Sequence, residues 1–262
     1  IMSFIRARSV FISDTHLGTY GSQAEKIIEL LDSISVEKLY LVGDIIDGWQ
    51  LQSKWYWPET HSFVLEKIIK ISENGTKVFY ISGNHDDFLR KIGNFKLGGI
   101  IFCKEVTHIT PDNKKFLVIH GDKYDQVIAK APWVAYIFDE LYNFFQFVNR
   151  KLNIFLKFFG FKYFSVIDIL KANIKSVSNF ICHFEFEVLK DIKERKFDGV
   201  ICGHIHHAQN KKIRGIQYMN CGDWVDSCTA LIEDLNGQIK ILDWKNQKIK
   251  NTHFTFIETM GV

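Results

Sequence analysis

The chain has 262 residues, 47% of them hydrophobic, and a formal net charge of +3 at pH 7. This length and composition suffice to bury a substantial core in one large domain or two small ones. The near-neutral charge argues against nucleic acid as a partner, because nucleic-acid-binding proteins usually carry a strongly basic face.

The five cysteines are scattered along the chain and form no Cys-x-x-Cys pair. This pattern is typical of a reducing compartment, so we expect free thiols. The first eight residues lead directly into the first predicted strand and contain no apolar segment of signal-peptide length. No window reaches the roughly 18 apolar residues that a membrane-spanning helix needs. We therefore expect a cytoplasmic protein without a transmembrane segment.

Short apolar runs that stop abruptly at polar residues organise the chain. The five runs are Val10–Ser13, Leu39–Val42, Val78–Ile81, Phe116–Ile119 and Val200–Cys202. The polar residues that follow them are Asp14 and His16, then Asp44, then Asn84, His85 and Asp86, then His120 and Asp122, and finally His204 and His206. Such runs predict buried strands, and ligands collect at the carboxyl ends of parallel strands.

Helical patterns separate the first three strands. Ser22 is a candidate N-cap for a helix with Ile27, Ile28, Leu30 and Leu31 on one face. A second helix is predicted from about Thr60 to Glu73, ended by Asn74-Gly75, and a short helix from Asp86 to Ile92. Strand, helix, strand at this spacing indicates βαβ units with parallel strands.

The spacing shortens between Gly98 and Phe116, which indicates a change to antiparallel strands with a turn at Pro111–Asn113. After the last histidine cluster, strands are predicted at 213–220, 228–234 and 238–244. Asn236-Gly237 is the predicted two-residue hairpin turn between the last two. Together these patterns predict an α/β fold with mixed sheets.

The stretch from about 125 to 196 differs in composition from the rest of the chain. Phe and Tyr crowd the segment from Trp133 to Phe164, interleaved with basic residues. This spacing predicts amphipathic helices, inserted as a cap into a single domain that spans 1–262. Most of the Phe residues would form the cap's own core or a homodimer interface. Basic residues beside exposed aromatic ones would also allow peripheral contact with an anionic membrane surface.

The polar residues at the strand ends form a candidate ligand set for metal ions. Aspartate and imidazole offer the oxygen and nitrogen ligands that manganese, iron and zinc accept. The seven candidates are Asp14, His16, Asp44, Asn84, His120, His204 and His206. A lone Asp-x-His pair more often serves in a turn or a cap, but five clusters at successive strand ends are a different pattern. Seven ligands suffice for two ions if one residue bridges them.

These clusters resemble the ordered blocks of the calcineurin-like metallophosphoesterase superfamily. The blocks are Asp14-Thr15-His16, Gly43–Asp47, Gly83–Asp86, His120–Asp122 and Gly203–His206. The resemblance implies a layered α/β sandwich with mixed sheets. It also implies a first metal held by Asp14, His16 and His206, a second held by Asn84, His120 and His204, and Asp44 as the bridge between them.

The same resemblance implies two divalent cations, with manganese expected and iron or zinc as alternatives, and a bridging hydroxide that attacks phosphorus. His85 would protonate the leaving oxygen or stabilise charge in the transition state, with Asp86 as its orienting partner. A purely structural role is the alternative for His85. Asp47 and Asp122 are expected to be hydrogen-bond acceptors or turn formers instead of ligands.

The inserted helices and the segments Gly43–Trp49 and Asn220–Val225 resemble the UDP-2,3-diacylglucosamine pyrophosphatase group of lipid A biosynthesis. This resemblance implies hydrolysis of UDP-2,3-diacylglucosamine, an acylated nucleotide sugar, to UMP and 2,3-diacylglucosamine 1-phosphate at the inner membrane surface. The best-studied members have arginine where this chain has His85, which leaves the lipid substrate open. The candidate substrate contacts are Asn84, His85, Lys171, Asn173 and Lys175.

Two other functions stay open on the sequence. The first is a metallophosphoesterase that acts on a soluble phosphomonoester, phosphodiester or phosphoprotein. The second is a non-catalytic scaffold of the same fold, which the intact blocks, including His85, disfavour. A nuclease is less favoured still, because the basic residues of the insertion are interleaved with Phe instead of forming a stripe that follows phosphates.

Overall fold

The computed structural model describes residues 4–125, 175–246 and 248–250. The first sheet contains β1 (Ile5–Ile12), β2 (Ile34–Val42), β3 (Lys77–Ile81), β4 (Phe95–Leu97), β5 (Ile100–Cys103), β11 (Thr229–Glu233), β12 (Ile239–Asp243) and β13 (Lys248–Lys250). The second contains β6 (Glu105–Ile109), β7 (Lys115–Ile119), β8 (Gly199–Cys202), β9 (Gln209–Ile213) and β10 (Ile216–Asn220). The helices are α1 (Ala24–Ser33), α2 (Gly48–Ser53), α3 (Glu59–Glu73), α4 (Asp87–Ile92) and α5 (Lys175–Glu194), with a 3₁₀ turn at Asp122–Tyr124.

Both sheets are mixed, as the sequence predicts. The strand order is β13-β12-β11-β1-β2-β3-β5-β4 in the first sheet and β6-β7-β8-β10-β9 in the second. Strands β1, β2, β3 and β5 run parallel, and so do β7, β8 and β10. The remaining neighbours are antiparallel. The carboxyl ends of the parallel strands therefore lie together at one edge of each sheet.

The two sheets pack face to face and are covered by helices on both outer sides. Residues from both sheets form the core between them, namely Phe11, Tyr40, Val42, Ile81, Phe116, Val118, Ile201, Met219, Cys221 and Leu231. Buried side chains of α1 and α3 cover the outer face of the first sheet, among them Leu30 and Val64. Phe184, Val188 and Ile192 of α5 cover the second sheet. The predicted layered sandwich is confirmed.

Some local expectations are wrong. Ser22 does not cap α1, because its hydroxyl donates to the Thr15 carbonyl oxygen at 2.6 Å. The turn at Asn236-Gly237 is longer than two residues, since β11 ends at Glu233 and β12 begins at Ile239. The Asp234 carboxylate organises this loop by accepting from the backbone N–H groups of Asn236 and Gln238, at 3.0 and 2.9 Å. The expectation of free thiols is confirmed for all five cysteines.

Most of the predicted insertion, residues 126–174, lies outside the described residues. Its last part is α5, which packs on the second sheet. Among the helices that the structure describes, none is both long and apolar enough to cross a membrane.

Candidate metal centre

The seven predicted ligand residues follow the ends of five parallel strands. They are Asp14 and His16 after β1, Asp44 after β2, Asn84 after β3, His120 after β7, and His204 and His206 after β8. The first five are buried, and His204 and His206 are half-buried. The parallel strands therefore bring together residues that lie up to 192 positions apart in the sequence (206 − 14).

Five of the seven residues have left-handed backbone conformations. Their φ angles are 53° for Asp14, 45° for His16, 53° for Asp44, 70° for His204 and 50° for His206. Residues other than glycine rarely adopt this region, and those that do cluster at functional sites. The strand ends leave no room for extra atoms: a Cβ at Gly83 would collide with the Asp44 carboxylate, and one at Gly203 with Ser13 and Asp14.

The first ligand group consists of Asp14, His16 and His206. One potential ligand atom from each residue lies within 4.8 Å of those of the other two. Asp14 Oδ1 is 3.2 Å from His206 Nε2 and 3.9 Å from His16 Nε2. His16 Nε2 is buried and makes no hydrogen bond with any residue that the structure describes. A cation between these atoms would give this nitrogen a partner.

The second group consists of Asp44, His120 and His204, whose ligand atoms also lie within 4.8 Å of one another. His120 Nε2 is 3.1 Å from Asp44 Oδ2 and 3.2 Å from Asn84 Oδ1. The other ring nitrogen, Nδ1, lies 2.9 Å from the Val42 carbonyl oxygen. Because a carbonyl only accepts, Nδ1 carries the proton and Nε2 is left as a potential ligand atom.

In both groups, buried carboxylates and imidazoles stabilise each other's charged forms. Burial raises the pKa of Asp14, but the His206 imidazole outweighs this effect and lowers it to about 2. Burial alone would lower the pKa of His120, yet the Asp44 carboxylate raises it to about 10. The pKa of Asp44 falls well below its ordinary value, against the effect of burial, chiefly because of His120 and His85. Anionic oxygens and imidazole nitrogens in this arrangement fit manganese, iron or zinc.

Asp47 contacts two histidines at once. Its Oδ2 lies 2.9 Å from His16 Nδ1 and 3.0 Å from His85 Nδ1. The contact with His16 is a hydrogen bond, and since a carboxylate only accepts, Nδ1 carries the proton of that ring. The Nε2 of His85 lies 3.9 Å from Asp44 Oδ2. Asp47 Oδ1 accepts from the backbone N–H of Gln50 at 2.8 Å and caps α2, so Asp47 is an acceptor as predicted. Its ligand atoms also lie within 4.8 Å of those of His16 and His85, so the prediction that it is not a ligand stays a prediction.

The predicted role of Asp86 as the orienting partner of His85 is wrong. Asp86 Oδ2 accepts from the Ile45 backbone N–H at 3.0 Å and from the Tyr80 hydroxyl at 2.8 Å. Its other oxygen accepts from the Gly83 backbone N–H. Asp86 therefore ties the ends of β2 and β3 together, whereas Asp47 reaches the imidazole. Burial, with a contribution from Asp44, raises the pKa of Asp86 to about 6.

Asp122 is held in an ion pair and is not part of either ligand group. Arg90 donates to its two oxygens, at 2.6 and 2.7 Å, which links α4 to the turn that follows β7. The expectation that Asp122 is an acceptor is confirmed.

Sequence reasoning missed two contacts at the centre. Asp125 Oδ2 lies 3.0 Å from His204 Nε2. The ring centroids of Trp49 and His85 lie 4.3 Å apart, with an interplanar angle of 34°. For Asp125 the only available signal was its position three residues after Asp122, which gives no indication of a partner 79 residues away.

The candidate substrate contacts in the insertion remain predictions. Lys171 and Asn173 lie outside the described residues, and Lys175 is the first residue of α5, where only the backbone is described.

The sequence from residue 7 to residue 208 matches the family described as calcineurin-like phosphoesterase. The matched range includes all seven ligand candidates. The chain belongs to this family. The family match and the two ligand groups agree with the superfamily resemblance of the sequence blocks.

Several curated relatives share part of the chain. It is 29% identical to the UDP-2,3-diacylglucosamine hydrolase of Aliivibrio fischeri over 149 residues, which is 50% of this chain and 58% of the relative. It is 32% identical to the enzyme of the same name from Neisseria gonorrhoeae over 123 residues, 44% of this chain and 48% of the relative. The chain thus spans about half the length of the curated relatives that it matches.

Solved structures that resemble this chain superpose on it only loosely. The E. coli phosphoesterase YfcE has a TM-score of 0.48 at 14% identity, with 92% of this chain and 95% of that chain covered. Vacuolar protein sorting 29 from Cryptosporidium parvum has a TM-score of 0.47 at 13% identity, with 92% and 93% covered. Neither likeness is close enough to bear on function.

Proposed function

We propose that the protein is a dinuclear metal-dependent hydrolase that cleaves UDP-2,3-diacylglucosamine to UMP and 2,3-diacylglucosamine 1-phosphate. The observation that carries the reaction class is the convergence of the strand-end residues into two groups, each with ligand atoms within 4.8 Å of one another. The substrate is supported by the relatives, which are named for hydrolysis of this compound. Cytoplasmic location, peripheral contact with the inner membrane and a homodimer belong to the same proposal.

The residues divide between two cation positions. Asp14, His16 and His206 would hold one ion, and Asn84, His120 and His204 the other. Asp44 would bridge the two ions: its Oδ2 lies 3.1 Å from His120 Nε2 in the second group, and its carbonyl oxygen accepts from the backbone N–H of His16 in the first group at 3.0 Å. Two bound divalent cations would neutralise charge on the phosphoryl oxygens and lower the pKa of the water that attacks phosphorus. Manganese is the proposed metal, with iron or zinc as alternatives.

In this proposal His85 delivers a proton to the leaving phosphate oxygen. Its Nδ1 lies 3.0 Å from Asp47 Oδ2, and its Nε2 lies 3.9 Å from Asp44 Oδ2. Its backbone N–H donates to Asp44 Oδ1 at 2.9 Å, and its carbonyl oxygen accepts from the Gly48 backbone N–H at 2.9 Å. With Trp49 against the ring, the imidazole is fixed on several sides. Such positioning is what general acid catalysis requires.

The substrate assignment is tested with purified protein, Mn²⁺ and UDP-2,3-diacylglucosamine. We expect release of UMP, and no release after the metal has been removed with a chelator. UDP-N-acetylglucosamine is the control, because it has the same pyrophosphate without the two acyl chains, and we expect it to be hydrolysed much more slowly. A preparation that hydrolyses p-nitrophenyl phosphate or bis-p-nitrophenyl phosphate but releases no UMP would favour the soluble phosphoester alternative.

Replacing Asp47 with asparagine tests the positioning of His85. Asparagine still caps α2, because its side-chain oxygen accepts a hydrogen bond as aspartate does. The negative charge beside the two Nδ1 atoms is lost, so we expect kcat to fall about 10- to 100-fold while the melting temperature changes little. Asp243→Asn is the control, since that carboxylate contacts only Asn246 among the described side chains. A wild-type kcat for Asp47→Asn would show that His85 does not depend on Asp47.

A further inference from the structure

His204 is enclosed by neighbours on several sides. Its backbone N–H donates to Asp14 Oδ2 at 3.0 Å. Its ring lies 5.2 Å from the His120 ring, edge to face, and 5.9 Å from the Phe184 ring. Its Nε2 is 3.0 Å from Asp125 Oδ2. The carboxylate accepts from Nε2–H, so the nitrogen left to join Asp44 and His120 in the second group is Nδ1.

We propose that Asp125 is a positioning residue for the second metal site, which rests on the proposed dinuclear centre. By holding Nε2–H, Asp125 fixes the tautomer and the rotation of the His204 imidazole and presents the lone pair of Nδ1 to the cation. A carboxylate behind a histidine ligand also makes the imidazole a stronger donor. The first group contains the equivalent arrangement, with Asp47 behind His16.

Hydrogen bonds and an ion pair hold the short turn that carries Asp125. They restrict the positions that its carboxylate can take relative to the His204 imidazole. The Asp125 backbone N–H donates to the Asp122 carbonyl oxygen at 3.0 Å, and Asp122 is paired with Arg90. Tyr124 is tied to α5 by its hydroxyl, which donates to Asp191 Oδ2 at 2.5 Å. Asp125 is 6% exposed, which limits competition from water for its oxygens.

The test is a titration of the metal-free protein with Mn²⁺ by calorimetry, without substrate. The wild type is expected to bind two ions. In Asp125→Ala we expect the ion at the second site to bind about 10- to 100-fold more weakly, with the first site unchanged. Asp125→Asn keeps an acceptor oxygen but loses the charge, so its affinity should fall between those of the wild type and Asp125→Ala. Asp112→Asn, an exposed carboxylate in the turn after β6, is the control.

Activity supplies a second readout. If Asp125 acts through metal binding, excess Mn²⁺ should restore most of the turnover of Asp125→Ala. Wild-type affinity at both sites, or an equal loss at both sites, would overturn the proposal, and so would a lower melting temperature with unchanged affinities. If Asp125→Ala does not fold, wild-type affinity in Asp125→Asn overturns it. A wild type that binds fewer than two ions would instead contradict the dinuclear centre itself, and the inference with it.

Discussion

Replacing Asp44 with asparagine is expected to lower Mn²⁺-dependent turnover by more than about 100-fold. Loss of a residue that only hydrogen-bonds a metal ligand already lowers metal affinity or activity by about 10- to 100-fold, and Asp44 is itself a proposed ligand. Asp44 Oδ2 lies 3.1 Å from His120 Nε2, and Asp44 Oδ1 accepts from the His85 backbone N–H at 2.9 Å. An amide of the same shape keeps the contact with His85 but is neutral and a poor bridge between two cations. The change therefore removes the ligand with little change in packing.

Turnover and Mn²⁺ stoichiometry of Asp44→Asn are measured on protein whose folding has been checked by circular dichroism. Asp32→Asn is the matched control, since Asp32 pairs with Lys67 at the surface. An Asp44→Asn variant that hydrolyses every tested phosphoester at the wild-type rate would contradict the proposed catalytic centre and would favour a scaffold. Loss of turnover with retained stability supports it.

Replacing Glu233 with alanine is expected to cost about 3–5 kcal/mol of unfolding free energy, because it removes the buried carboxylate that serves the Ser9 hydroxyl, His108 and the mostly buried Arg8 together. The Glu233 side chain is fully buried between the sheets. Its Oε1 is 3.0 Å from the Arg8 guanidinium, and its Oε2 accepts from the Ser9 hydroxyl at 2.7 Å and lies 3.2 Å from His108 Nε2. These contacts join β11 and β1 of one sheet to β6 of the other.

Urea denaturation of Glu233→Ala and the wild type at pH 7 measures this loss. Glu37→Ala is the control, because Glu37 faces the same Arg8 from the surface at 3.8 Å and should contribute less than about 1 kcal/mol. Burial raises the pKa of Glu233, but His108, Ser9 and Arg8 outweigh it and lower the pKa below the ordinary 4.5. The stabilisation is therefore present above that pH and is lost as the pH falls through the folded-state pKa. A difference that stays constant down to pH 3 would contradict this assignment.

The sequence predicted five parallel strands and their ends well, because β1, β2, β3, β7 and β8 are apolar runs that stop at a sharp polarity change. Val78–Ile81 lies within β3 and leads to Asn84, and Phe116–Ile119 lies within β7 and leads to His120. The order of the blocks also predicted the candidate ligand residues, which the structure brings together at one edge of the sandwich. By contrast, β9 (Gln209–Ile213) was missed, because its polar composition carries no strand signal.

The partners of the site residues could not be predicted in the same way, because side-chain contacts join strand ends that are distant in sequence. Asp86 adjoins His85 in the chain, yet the carboxylate that reaches the imidazole is Asp47, which lies 38 residues earlier (85 − 47). Asp125 has no local pattern that would link it to His204. Ser22 had the right residue type for a cap, but the nearby Thr15 carbonyl takes its hydroxyl.

The left-handed backbone at five of the candidate ligand positions lowers the thermodynamic stability of this fold. Each such conformation costs a residue with a side chain about 1–3 kcal/mol, and glycine would adopt it without that cost. Glycine at Asp14, His16, Asp44, His204 or His206 would avoid this backbone cost. It would also remove buried side-chain contacts, such as those that Asp14 and Asp44 make with the backbone N–H groups of His204 and His85. Substitutions meant to stabilise this protein are therefore better placed away from the strand ends.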